Sequence, residues 1–298
     1  MSTVDVRPPG LDESELDPTA PSVRPRSPGL LRSTLADRCA WIALPPLLLV
    51  LAMAVVPAWF DGAGPRPCDL RSGLEGPSLT HPFGIDLQGC DLWARSVHGT
   101  RNSALVGFGS VVAAGLVATV LGTLAGMSRV ADAFVRGAVD LFLGIPVVLI
   151  GLTVLTATER PGPWHVIAVL SFFAWPLLTR VMRTEVLRVS GREYVDAARA
   201  LGASRWRVLR RHVAPNAVGA MLSIAVLAVA TMITTEAVLT YVGAGLQLPD
   251  SSWGILMFEA GRSLRRAMHL ALPGLFLVVT VGALVLLAEV VRDARPPS

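Results

Sequence analysis

Few side chains in this sequence have the type and spacing to do bond chemistry. Between residues 81 and 98, His81, Asp86, Cys90, Asp91 and His98 are all of metal-binding type. Their spacing matches no standard site, in which closely spaced ligand pairs converge on one ion. A capping role explains the same stretch, because Asp86 or Asp91 can start an interfacial helix carrying Leu92, Trp93 and Val97. The three cysteines, Cys39, Cys68 and Cys90, form no CxxC pair. Cys68 and Cys90 share one loop, either as a disulfide in an oxidising compartment or as two separate thiols. Hydrolysis inside a membrane would need a nucleophile facing a base. His165, His212 and His269 instead stand at the ends of apolar runs, and no GxSG string occurs. All 26 basic residues are arginine. A chain without lysine holds no ordinary Walker A loop and does no Schiff-base chemistry. If ATP drives anything here, another polypeptide binds it. No nucleic-acid-binding motif is present.

The elements that would position such groups are apolar. The 298 residues are 52% hydrophobic, with a mean hydropathy of +0.57. Those values define a polytopic membrane protein. Apolar runs at 40–60, 103–127, 137–157, 164–182, 217–239 and 269–291 predict six transmembrane helices in an all-α fold. Pro45 and Pro46 fall in the first two turns of the first run, Pro146 near the middle of the third and Pro176 within the fourth. The second run places Gly122 and Gly126 at the spacing that lets helices approach closely in lipid. Asp140, in the first turn of the third, reads as an interfacial carboxylate paired with a nearby arginine; a proton relay would sit deeper. Residues 1–38 are rich in Pro, Ser and acids without apolar periodicity and predict a disordered tail. Residues 39–101 then hold the first helix and a long polar loop. Residues 102–298 hold a five-helix core.

One polar stretch interrupts the apolar pattern. Residues 191–216 read GREYVDAARALGASRWRVLRRHVAPN. Tyr194, Ala197, Ala198 and Leu201 recur at the spacing of one helix face. Gly202 stands where a helix ends in a left-handed residue, and Ser204 can cap a second short helix with Trp206, Leu209 and Val213 on one face. Pro215 suits the first turn of the next long helix. The stretch therefore encodes two short amphipathic helices, at 191–213, joined by a glycine elbow. Two readings are open: an interfacial helix with arginines on lipid phosphates, or a docking knob whose small residues fit a partner's groove.

This stretch resembles the EAA loop of ABC-importer permease subunits, whose pattern is Glu-Ala-Ala, three residues, Gly, and a Leu-Pro about a dozen residues on. Asp196, Ala197, Ala198, Gly202 and Pro215 hold those places, with Asp196 for the usual Glu and Ala214 for the usual Leu. The string EYVDAARALGAS is similar to the dipeptide/oligopeptide, binding-protein-dependent branch, and within it to the second (C-type) permease subunit. Three further strings are similar to that branch. HPFGIDLQGCD resembles its HPFGTDxxGRD, with Ile85 and Cys90 departing. The stretch 240–268 resembles its SFLGLGxQPPxPSWG, preceded by a Glu that Glu236 matches; LAEVVRDARPPS resembles its GDGLRDALDP ending, with Glu289 for Asp. The resemblance covers roughly residues 80–295. It implies the fold of a type I ABC importer transmembrane domain and a coupling helix gripped by a cytoplasmic ATPase. The docking residues would be Glu193, Tyr194, Asp196, Ala197, Ala198, Leu201, Gly202, Ala203, Ser204 and Trp206. It further implies a second permease, two ATPase subunits or one fused ATPase that bind the ATP and Mg, and an extracytoplasmic substrate-binding protein. Glu236, Trp253 and Glu259 are candidates for the substrate path by position alone.

Arginine counting orients the chain. The tail, the 128–136 loop, the 180–212 stretch and the C-terminus hold 18 arginines, against 8 in the other loops. The positive-inside rule then puts both termini and the coupling stretch in the cytoplasm of a bacterial cell. The reading that follows is an ATP-driven peptide importer subunit that itself does no catalysis. Nickel or another small solute of the same branch is the alternative cargo. An intramembrane enzyme lacks its catalytic pair, and a secondary transporter would show internal repeats and midspan charges, neither of which is seen.

Overall fold

The computed structural model describes residues 38–61 and 68–293. The expected tail before Arg38 and the last five residues lie outside them. The helices are α1 (Arg38–Val55), α2 (Leu92–Met127), α3 (Arg129–Leu143), α4 (Val147–Thr156), α5 (Pro163–Ser190), α6 (Glu193–Ala200), α7 (Arg205–Val208), α8 (Ala214–Tyr241), α9 (Trp253–Ser263) and α10 (Gly274–Asp293). No strand is present among the described residues; a single bridge joins Ile85 and Asp91. Five helical stretches are long and apolar enough to cross a membrane, and the bent pair α3–α4 makes up to six.

α2 is the central post. It packs along α5 and against α1, α3 and α8, while α10 closes the bundle against α1 and α8. Its 36 residues correspond to about 54 Å, well beyond the roughly 30 Å hydrocarbon layer. The expected interfacial helix and second span are thus one element. Asp91 caps it by accepting from the Trp93 and Ala94 N–H groups, and no proline interrupts it. The close packing rests on glycine: a Cβ on Gly122 would stand 2.7 Å from Met182 Cβ and 2.9 Å from the Arg183 nitrogen.

The third span departs from the expectation of a single helix over 137–157. The chain bends by 77° between α3 and α4. Gly144 ends α3 with its N–H on the Phe142 carbonyl. Pro146 then lacks an N–H and pushes Ile145 out of the helical region. The first span is likewise shorter than 40–60: α1 stops at Val55, and Pro57 separates it from one turn at Ala58–Asp61. Asp140 is exposed and in no ion pair among the described residues. The carboxylate that meets arginines is Asp132, which binds Arg183 of α5 through both oxygens and lies 3.7 Å from Arg136.

Gly122→Val should lower the thermal unfolding midpoint in detergent by the equivalent of about 1–3 kcal/mol through overpacking. Gly282→Ala, where a Cβ meets nothing within 4 Å, should leave it unchanged. Equal midpoints would refute the close α2–α5 contact.

Candidate functional site

At one end of the bundle, residues 191–213 leave α5, turn back and enter α8. α6 ends in a two-bond left-handed turn. The Ala203 N–H donates to the Ala198 carbonyl at 3.1 Å and the Gly202 N–H to the Arg199 carbonyl at 2.9 Å. Gly202 supplies φ +82°, which costs a residue with a Cβ about 1–2 kcal/mol. Ser204 caps the next helix by accepting from the Arg207 N–H. The chain then widens into a π turn at Leu209–Val213, where the Ala214 N–H reaches back five residues to the Leu209 carbonyl. Pro215 follows without breaking the axis. Arg205–Tyr241 is accordingly one 37-residue helix, not a short helix followed by a new span. The missing proline donor is absorbed by the π turn, which already shifts the hydrogen-bond register.

The elbow is pinned by a residue that spacing did not single out. Val195 is fully buried and packs into the cluster containing Val186, Val189, Val208, Leu209 and Val213. Burying a side chain of that size is worth about 2 kcal/mol. Its signal was that it is the one β-branched residue in EYVDAARA. With Val195 inward, the other side of α6 faces out. Glu193, Tyr194, Asp196, Ala197, Leu201, Gly202, Ser204 and Trp206 are exposed, and Ala198 and Ala203 are half-buried. The expected face of the second helix splits, since Leu209 and Val213 are buried while Trp206 is not. Leu201 is 89% and Trp206 65% exposed. These two large apolar groups flank a glycine around which a Cβ would meet nothing within 4 Å. Arg199 pairs with Asp196 at 2.9 Å on the surface. A cavity of about 600 Å³ lies behind the elbow, between Arg199, Ala203 and Val208 and the end of α2 at Gly126 and Met127.

The opposite end carries the other candidates. Glu236 is fully buried; one carboxylate oxygen accepts from Thr240 Oγ1 at 2.9 Å and Ser252 Oγ at 3.0 Å. Trp253 is also fully buried, its indole N–H on the Ser96 carbonyl and its backbone N–H on Ser103 Oγ. These two side chains tie α8, α9 and α2 together. Glu259 does line one, and Arg95 grips it through two bonds, of 2.6 and 3.1 Å. Arg95 also binds Asp86, so it joins the loop, α2 and α9; its place one turn past Asp91 was the only sequence signal. The residues of metal-binding type are each engaged elsewhere. His81 meets Asp91 at 2.9 Å, His98 meets Asp61, and Cys90 is disulfide-bonded to Cys68 with Cα atoms 4.3 Å apart. No cluster of three metal-binding side chains occurs among the described residues.

The fold is that of a type I ABC importer transmembrane domain: a methionine ABC transporter solved in inward-facing conformations superposes at a TM-score of 0.56 and 21% identity, over 67% of this chain and 96% of that chain. Residues 118–296 match the binding-protein-dependent transport system inner membrane components, and the chain belongs to that family. A Brucella ovis protein named as a peptide permease is 34% identical over 261 residues, covering 86% of this chain and 85% of that one. A glutathione transport system permease protein of Pectobacterium atrosepticum is 33% identical over 262 residues, covering 86% and 87%. The protein is thus a multi-pass membrane component of a transport system.

Val195→Ala should speed amide exchange across 193–204 and leave the cores of α2 and α5 protected. Exchange unchanged throughout that window would show that Val195 does not hold the elbow.

Proposed function

We propose that this chain is a permease subunit of an ATP-driven importer that carries short peptides inward across the bacterial cell membrane. The observation that carries the reading is the elbow itself, in a chain of this family. Leu201 and Trp206 project from a turn fixed by Gly202 and Val195, at the end of one continuous helix that runs into the bundle. Exposed apolar side chains on a rigid mount suit a soluble partner's groove, as in helix-in-groove recognition. Lipid phosphates would call for no such glycine turn. The partner is a cytoplasmic ATPase, as two subunits or one fused chain, that binds the ATP and Mg. A second permease completes the path, and an extracytoplasmic binding protein delivers the cargo. This chain does no catalysis; it converts closure of the ATPases into rocking of its spans between two access states.

Orientation is supported from both ends. Among the described residues the elbow end holds most of the arginines, as a cytoplasmic face should. The far end carries the Cys68–Cys90 disulfide, a bond that persists in oxidising compartments. Peptide cargo is supported by the names of the relatives above, glutathione being itself a tripeptide.

Two measurements test this. Gly202→Arg should abolish ATP-dependent uptake of a labelled peptide in vesicles of the assembled transporter, with the spans still folded; undiminished uptake would sink the docking role. A cysteine at Leu201 should crosslink to the ATPase. Crosslinks to phospholipid alone would establish the interfacial reading instead.

A further inference from the structure

Resting on that reading, we propose that a basic cavity at the far end of the bundle seats an acidic, partly apolar projection of the extracytoplasmic binding protein. The cavity has a volume of about 790 Å³ and lies between Asp86, Leu87 and Gln88 of the loop, α9 and the turn after it. Arg262, Arg265 and Arg266 form one side of it, all exposed. None of the three is in an ion pair among the described residues. The only carboxylates lining it, Asp86 and Glu259, are both held by Arg95, so the rim's field is positive. Leu87 and Leu264 add apolar surface at 38% and 40% exposure. Arginine beside apolar groups is the composition of protein interfaces.

Two features argue that this surface is built to receive something. The first is its rigidity. Cys68–Cys90 staples the loop, the His269 ring meets the Ile85 carbonyl at 3.0 Å, and Gly84 and Gly89 turn at φ +77°. At both glycines a Cβ would collide with neighbouring backbone. A loop of this length with that many fixings is a preformed surface, which lowers the ordering cost of binding. The second is charge placement. Three arginines within five residues stand on the end that the chain otherwise leaves poor in arginine. The dipole at the end of α9 accounts for a cation in its last turn, Arg262, but its reach falls off within that turn. Paired rim charges steer encounter and set specificity, which is the task of a dock that must engage a loaded carrier repeatedly.

The test uses the full transporter in vesicles and the purified binding protein that serves it. ATP hydrolysis is measured as that protein is titrated in. The triple variant Arg262→Glu, Arg265→Glu, Arg266→Glu should raise its half-stimulating concentration about tenfold, and salt at about 0.5 M should weaken the unaltered transporter similarly. Arg→Lys at the same positions should retain stimulation at low salt, and copurification with the ATPase reports correct folding of each variant. A folded charge-reversed transporter with unchanged, salt-insensitive stimulation overturns the proposal. So does an effect seen only as altered dependence on anionic lipid in the vesicles, which would assign the arginines to headgroups. If the unaltered transporter shows no stimulation by the binding protein at all, the importer reading falls first.

Discussion

The structure depends on one continuous stretch of backbone. From Arg205 to Tyr241 the helix does not break, although it passes a π turn and a proline. A membrane-crossing helix must satisfy its backbone groups internally, so an uninterrupted one behaves as a stiff rod. One end of this rod bears the elbow. The other is fastened by buried side chains, with Glu236, Ser252 and Thr240 joining it to α9. A displacement at Trp206 has continuous helix between it and the span along which to travel, and Leu201 joins that helix through the turn at Gly202.

Compliance lies elsewhere. Among the described residues the bend of 77° between α3 and α4 is the one break of more than 40° within a span, and Asp132 on α3 is bound to Arg183 on α5. α5 leads straight into the elbow. The elbow is thus connected to the bent span through α5 and to the far end through α8, one connection by an ion pair and the other by continuous helix. The far end is locked in a different way. Arg95 bridges the loop, α2 and α9, and the Cys68–Cys90 disulfide closes the loop.

Much of this was legible in the sequence, for physical reasons that also mark its limits. Apolar runs define which segments cross a membrane, and Gly202 announced a left-handed turn because few other residues adopt one. A cap at Asp86 or Asp91 was legible because a carboxylate ahead of Leu-Trp suits one, and the structure uses Asp91. What escaped was whatever depended on contacts between elements. Only the β-branch of Val195 hinted that it points inward while Tyr194 points out, and the i, i+3, i+4 spacing singled out the other face. Pro215 looked like a start signal, yet a π turn upstream carries the helix through it. Pro146 was visible inside an apolar run, but hydropathy outvoted it. Arg95 gave no warning of its partners, because Glu259 lies 164 residues away.

Transmission from elbow to span requires a rigid rod. Spin labels at Trp206 and Tyr241, on the assembled transporter, would report its length through the ATP cycle by pulsed dipolar spectroscopy. A rigid rod gives one narrow distance near 50 Å, about 1.5 Å per residue, unchanged between the nucleotide-free and ATP-bound states. A distance that shortens or splits when ATP binds would mean that the helix flexes between elbow and span, and the mechanical link described here would be wrong.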